Sequence, residues 1–214
     1  RTARQIDRAQ PDLTPGEKYL RTLEHLGSGS LISDVSQYTL NNLQKSYAQL
    51  DQGTVEQIVD ILLRSDRKYI AGFRGTACCA QYMASKLLFL TPHVVPILHA
   101  DATAVENLLD ITERDCLFLY SFPRYSEIAR PLMEIARESG AKVILMTDRR
   151  TSPLANKADV VVTAQVDGLG FTNSYVAPLS LSEVILLSVS GRKDVKDSKR
   201  FNRIDSVMER EKLY

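Results

Sequence analysis

With 27 lysines and arginines against 26 aspartates and glutamates, this chain of 214 residues has a formal net charge of +1, which argues against a dedicated nucleic-acid surface, local patches aside. Hydrophobic residues at 44% and charged residues at 25% are the usage of an ordinary globular protein, and the length suits one α/β domain with a sizeable core and a helical extension. No run approaches the roughly 18 apolar residues of a membrane span, no signal peptide is visible, and the three cysteines (Cys78, Cys79, Cys116) have no metal-ligand spacing and fit a reducing cytoplasm.

Residues 1–16 are polar and broken by Pro11, Pro15 and Gly16, which predicts a connector. A short helix is expected over 17–26, ending at a flexible Gly27-Ser28-Gly29-Ser30 step. A long amphipathic helix is predicted over 31–50, with Ile32, Val35, Leu43 and Leu50 as its apolar stripe. Gly53 punctuates the chain. Thr54 then offers an N-cap with Gln57 three residues on, ahead of Val55, Ile58, Val59, Leu62 and Leu63 at helical spacing.

Strands and helices alternate from there. Strands are predicted over 68–71, 94–98, 116–120, 143–146 and 160–163, and helices over 75–90, 103–110 (capped by Thr103 with Glu106) and 125–138. The segment 173–190 is apolar nearly all round, as expected of a helix buried on several sides by the core or by a partner subunit. The charged tail 194–214 reads as helical. Near-continuous apolar strands between helices predict an α/β fold, a five-stranded parallel sheet covered on both faces. Ligands of such sheets bind in the crevice at the carboxyl ends of the strands.

Three strand-end turns are polar. The first, Gly72-Phe73-Arg74-Gly75-Thr76, has two glycines that let backbone approach a ligand, and Thr76 as a cap with a hydroxyl to offer. It does not follow G-x-G-x-x-G, since Arg74 and Ala77 occupy the glycine positions, and it is no P-loop; a nicotinamide cofactor is not expected. The next is Ser121-Phe122-Pro123-Arg124-Tyr125-Ser126, and the last runs from Thr147 and Asp148 to Ser152 and Pro153. Any one of them uses residues that ordinary capping uses. Three at alternate strand ends of one sheet point to an anion site, where unpartnered N–H groups and the helix dipole favour a phosphate. Arg74 and Arg124, each just ahead of a helix, can fork onto such a group. No Ser-His-Asp order is present. His99 and Glu127 are the only imidazole and carboxylate near the crevice.

Four stretches carry a resemblance to the sugar isomerase (SIS) domain, and more narrowly to the effector-binding domain of RpiR-type bacterial transcription regulators. They are Ile70 to Thr76; Ser121 to Ser126; Gly140 to Asp148 with Ser152-Pro153-Leu154-Ala155 and Ala158-Asp159; and Phe171-Thr172-Asn173-Ser174. Together they cover roughly residues 31–190. The resemblance implies a three-layer αβα sandwich, usually dimeric, that binds phosphosugars at the strand ends. It also implies that residues 1–30 are the connector from a preceding helix-turn-helix domain, the only part that would touch DNA.

The departures from that family's pattern carry information. Against S-x-S-G-x-T-x-E, Ser121 and Ser126 keep the outer hydroxyls, while Pro123, Arg124 and Ile128 replace the second serine, the glycine and the glutamate. Against G-x-G-x-S, Arg74 replaces the second glycine and Thr76 the serine. Loss of the carboxylate argues against isomerase chemistry, which needs a base beside the sugar carbons. The expectation is a sensor and not an enzyme. Gly72, Arg74, Gly75, Thr76, Ser121, Arg124, Tyr125 and Ser126 would surround the effector's phosphate, and Thr147, Asp148 and Ser152 would lie on its sugar side. The alternatives are a sugar-phosphate isomerase using His99 or Glu127, and a ligand-free dimerisation module whose arginines fill the phosphate position. No cofactor or metal is expected.

Overall fold

A computed structural model describes residues 14–26, 30–170, 172–192, 195 and 199–213. Most of the expected connector, the Gly-Ser step and Phe171 lie outside the described residues, as do parts of the tail. Helix α1 spans Pro15–Leu26. It starts earlier than expected because Thr14 and Glu17 form a reciprocal cap, Thr14 N–H donating to Glu17 Oε2 at 2.7 Å and Glu17 N–H donating to Thr14 Oγ1 at 3.3 Å. Pro15, at the first helical position, has no N–H to lose there.

Helix α2 spans Leu31–Gln49 and α3 Gln52–Arg64. The cap of α3 is Asp51, whose carboxylate accepts from Thr54 N–H at 2.8 Å, so Gly53 and Thr54 lie inside the first turn rather than before it. Strand β1 (Lys68–Gly72) leads through a 3-10 turn, Arg74–Thr76, into α4 (Ala77–Leu90). Then come β2 (Val94–Ile97), α5 (Ala102–Glu106), β3 (Cys116–Tyr120), α6 (Ala129–Glu138), β4 (Lys142–Thr147) and β5 (Val160–Thr163). Asp101, not Thr103, caps α5, and α6 starts four residues later than predicted because the loop before it is longer. Helix α7 (Val176–Ser190) and a charged α8 (Arg200–Arg210) close the chain.

All five strands pair in parallel, in the order β2-β1-β3-β4-β5. Side chains alternate between faces, as strand geometry requires. Ile70, Phe118, Tyr120, Ile144 and Met146 face one apolar core with α3, α4 and α7, while Ala71, Leu117, Leu119, Val143 and Leu145 face a second core with α5 and α6. The result is the expected three-layer αβα sandwich. Helix α7 is wedged against α2, α3 and α4, which accounts for its apolar character on several sides.

Helix α2 reverses its predicted orientation. Its buried residues are Asn42 and Ser46, while Ile32 is 87% exposed and Val35 and Leu40 are also exposed. Hydrogen bonds hold it. Asn42 Nδ2 donates to Asp167 O at 2.5 Å, Ser46 Oγ accepts from Gln165 N–H at 2.9 Å, and the Tyr47 and Ser180 hydroxyls meet at 2.7 Å. An apolar stripe in the sequence marks what a helix can bury, and here that stripe is left for another surface.

Candidate anion-binding cleft

From β1 the chain moves outward to β2, then returns to place β3 on the other side of β1. The gap between the carboxyl ends of β1 and β3 is therefore the topological switch point, where helices depart to opposite faces and leave a crevice. Gly72 and Tyr120 are register partners across it. The turns that follow those two residues are two of the three polar turns of the sequence.

The crevice is a cavity of about 380 Å3, lined by Arg74, Gly75 and Thr76 from the first turn and Tyr120 to Arg124 and Ser126 from the second, with Phe73. Thr172, Asn173 and Tyr175 complete the wall from the loop before α7. Close approach dictates the glycines. A Cβ on Gly72 would lie 2.6 Å from Thr76 O, and one on Gly75 would lie 2.7 Å from Tyr175 Cε2, since the Tyr175 ring covers Gly75.

Arg74 (φ +54°) and Arg124 (φ +67°) both hold the left-handed conformation. These are the positions at which the resemblance expects glycine, so the backbone keeps the glycine geometry while carrying a side chain. For a non-glycine residue this costs about 1–2 kcal/mol. Neither guanidinium has a hydrogen-bond or ion-pair partner among the described residues, whereas Arg67, Arg114, Arg130 and Arg192 all do. The backbone N–H groups of Arg74, Gly75, Arg124 and Ser126 also find no acceptor among the described residues.

Ser121 sits at the floor, 4% exposed. Its N–H is tied to Met146 O at 3.0 Å, and its hydroxyl has no partner among the described residues. A buried hydroxyl left unmade costs roughly 1–3 kcal/mol. Thr76 behaves differently. Its hydroxyl accepts from Phe73 N–H at 2.7 Å and donates to Phe73 O at 2.9 Å, so it shapes the turn and has no proton left for a ligand.

The third polar turn stands beside the cavity and not on its wall. Asp148 Oδ1 accepts from the Tyr125 hydroxyl at 2.7 Å and from Thr147 Oγ1 at 3.1 Å, and Arg149 Nε lies 3.6 Å from Asp148 Oδ2. Ser152 is buried, with its hydroxyl unpartnered among the described residues, but it does not line the cavity. Tyr125, Thr147 and Asp148 thus tie the second turn to the end of β4. The predicted site divides into a cleft wall (Arg74, Gly75, Thr76, Ser121, Arg124, Ser126), Gly72 beneath it, and this bracing group.

Sequence reasoning did not place Phe73, Tyr120, Phe122, Pro123, Thr172, Asn173 and Tyr175 in the site. The Thr172-Asn173 pair was visible in the family stretch, and Asn173 Nδ2 reaches back to Pro123 O at 3.4 Å. Burial pushes the Tyr175 phenol up, with the Asn173 hydrogen bond and the Arg124 charge working against it. His99 and Glu127 are exposed and off the wall. A larger hollow, about 620 Å3, opens at the amino ends of the strands, but its charges already pair with one another, as in Lys142–Asp159 and Arg64–Asp60.

Sheet order, switch point and an unpaired donor set define a doubly wound α/β domain with an anion crevice. Residues 61–188 match the SIS domain model, and the chain belongs to the SIS domain family. No curated protein matches it significantly. Among solved structures it is similar to the sugar isomerase domain of an RpiR transcription factor from Sphaerobacter thermophilus (22% identity, 85% of this chain and 99% of that one, TM-score 0.78). It is also similar to the Vibrio vulnificus NanR protein complexed with ManNAc-6P (17%, 87% and 71%, TM-score 0.71) and to E. coli CFT073 c3406 in complex with arabinose 5-phosphate (15%, 84% and 98%, TM-score 0.69).

Proposed function

We propose that this chain is the effector-sensing domain of an RpiR-type transcription regulator: it binds a phosphorylated sugar in the cleft between 72–76 and 121–126 and governs a DNA-binding helix-turn-helix domain of the full protein. The observation that carries this reading is the buried, partnerless Ser121 hydroxyl facing a cavity flanked by two partnerless arginines. Arg74, Arg124 and Ser126 join it around the phosphate. Two of the similar structures named above are complexes with ManNAc-6P and arabinose 5-phosphate. Among the described residues the wall carries no carboxylate and no imidazole, so no general base stands beside a bound sugar, which supports binding without turnover.

The protein acts as a homodimer in the cytoplasm. The exposed Leu31, Ile32, Val35 and Leu40 of α2 and Leu187 of α7 supply apolar area for the partner copy. Effector binding shifts the balance between dimer arrangements, since only differential affinity moves such an equilibrium.

Thermal melts with N-acetylmannosamine 6-phosphate, arabinose 5-phosphate and glucose 6-phosphate test this. A true effector at a hundred times its Kd adds about 2.7 kcal/mol of apparent stability. Arg124→Gln removes that gain, and the effector is recovered chemically unchanged. Isomerised product that disappears in Glu127→Gln would replace the sensor with an enzyme. No stabilisation by any phosphate ester, with Arg124→Gln melting like the parent, would leave a dimerisation scaffold.

A further inference from the structure

Donors outnumber acceptors on the cleft wall. The partnerless donors are the N–H groups of Arg74, Gly75, Arg124 and Ser126, the Ser121 hydroxyl and two guanidinium groups. A phosphate ester has three terminal oxygens, about six lone pairs in all, and two forked arginines with the second turn alone fill them. Sugar hydroxyls, by contrast, need acceptors, and carboxylates are the strongest a protein offers. None of the described carboxylates lines this cavity. The nearest, Asp148, is held by Tyr125, Thr147 and Arg149.

The donors also fall into two groups on two strands. Ser121, Arg124 and Ser126 form one on the turn after β3. Arg74 and Gly75 form the other on the turn after β1, where Thr76 is self-bonded and adds no donor. The strands are neighbours, about 4.8 Å apart, a separation that a short carbon chain bridges. Each group holds one full cation with open N–H groups. Such a wall suits a ligand with an anionic group at each end and few hydroxyl protons to place.

We infer that the cleft takes a phosphorylated sugar acid, its phosphate at Ser121, Arg124 and Ser126 and its carboxylate at Arg74 and the Gly75 N–H. This rests on the phosphosugar-sensor reading and narrows it. The left-handed arginines belong to the same design: each extends a charge from a position where a glycine would have left only backbone.

Calorimetry on the intact chain with 6-phosphogluconate and glucitol 6-phosphate tests the inference, because the two differ only in a carboxylate against a hydroxymethyl group. At low salt the acid binds at least tenfold more tightly. Arg74→Gly, which suits the φ of that position and so folds, removes that advantage and leaves the glucitol 6-phosphate affinity within twofold. Arg124→Gly weakens both ligands. Equal or tighter binding of glucitol 6-phosphate overturns the sugar-acid assignment while the phosphosugar sensor stands. A loss of both affinities together in Arg74→Gly also overturns it, placing both arginines on one phosphate. If neither ester binds, nor any other phosphosugar, the sensor reading falls with it.

Discussion

At the amino end of β3, Asp115 is 1% exposed and every lone-pair direction is used: it accepts from Arg67 N–H at 2.9 Å, Arg67 Nε at 3.3 Å, Arg67 Nη2 at 3.0 Å, Thr112 N–H at 2.8 Å and the Thr112 hydroxyl at 3.0 Å. At the carboxyl end of the same strand, Ser121 is just as enclosed and its hydroxyl meets nothing among the described residues. The amino ends continue in kind, with Asp159 taking Val143 N–H at 2.8 Å and Lys142 Nζ at 3.0 Å. The carboxyl ends continue in theirs, with two partnerless arginines on strained backbone. One sheet therefore keeps its stability and its binding capacity at opposite ends. Polar groups at the base are satisfied internally, and those at the crevice are held ready for something external. Removing a group should destabilise at the base and be nearly free at the crevice.

The largest effect is expected at Asp115. Asp115→Asn turns an acceptor of five hydrogen bonds into a group that faces Arg67 and Thr112 with two donors of its own. By the magnitudes of buried charged hydrogen bonds, the cost is about 3 kcal/mol, measured by urea denaturation. Burial pushes the Asp115 carboxyl up, but the Arg67 and Thr112 hydrogen bonds together outweigh it and hold the group below its ordinary value of 3.8. A folded value below the unfolded one means that the contribution is present above pH ~4 and is lost as the pH falls through the folded value. The parent should therefore lose stability more steeply than Asp115→Asn below about pH 4. Parallel acid profiles would place the stabilising charge elsewhere.

Ser121→Ala is the matching change at the other end. The serine hydroxyl has no native partner among the described residues, so its loss should leave the urea midpoint unchanged or raise stability by about 0.5–1 kcal/mol. Phosphate-ester binding should weaken about fivefold, the value of one hydrogen bond near 1 kcal/mol. A destabilised Ser121→Ala protein would erase the contrast between the two ends.

The sequence disclosed this contrast unevenly. The strands were legible because a parallel sheet buried on both faces needs continuous apolar runs, and 116–120 is one. The turns after β1 and β3 were legible because glycines, hydroxyls and an arginine at a strand end have few purely structural uses together. The wall from Thr172, Asn173 and Tyr175 was not, since a loop some fifty residues from the second turn has no local pattern that points across the sheet. Asp148 was assigned to the ligand because a carboxylate at a strand end advertises chemistry, yet its hydrogen bonds to Tyr125 and Thr147 set it as a brace. Helix α2 misled for a related reason. Apolar periodicity reports a face suited to burial, and Asn42 and Ser46 reached the core instead through hydrogen bonds that no periodicity encodes.

The smallest predicted effect concerns backbone strain. Arg124 at φ +67° forfeits about 1–2 kcal/mol relative to glycine, and glycine gives back about 0.5–1 kcal/mol through the freedom of the unfolded chain. Arg124→Gly should therefore be more stable by about 0.5 kcal/mol, a rise in Tm of about 1–2 °C, while binding phosphate esters more weakly. His93 supplies the control, because it is left-handed too (φ +57°) but precedes β2 at the base of the sheet, where its carbonyl accepts from Lys68 N–H at 2.9 Å. His93→Gly should gain a similar amount and leave ligand affinity untouched. Strain of equal size at both ends, with a binding consequence at only one, would locate the function in the arginine side chain and not in the turn that carries it.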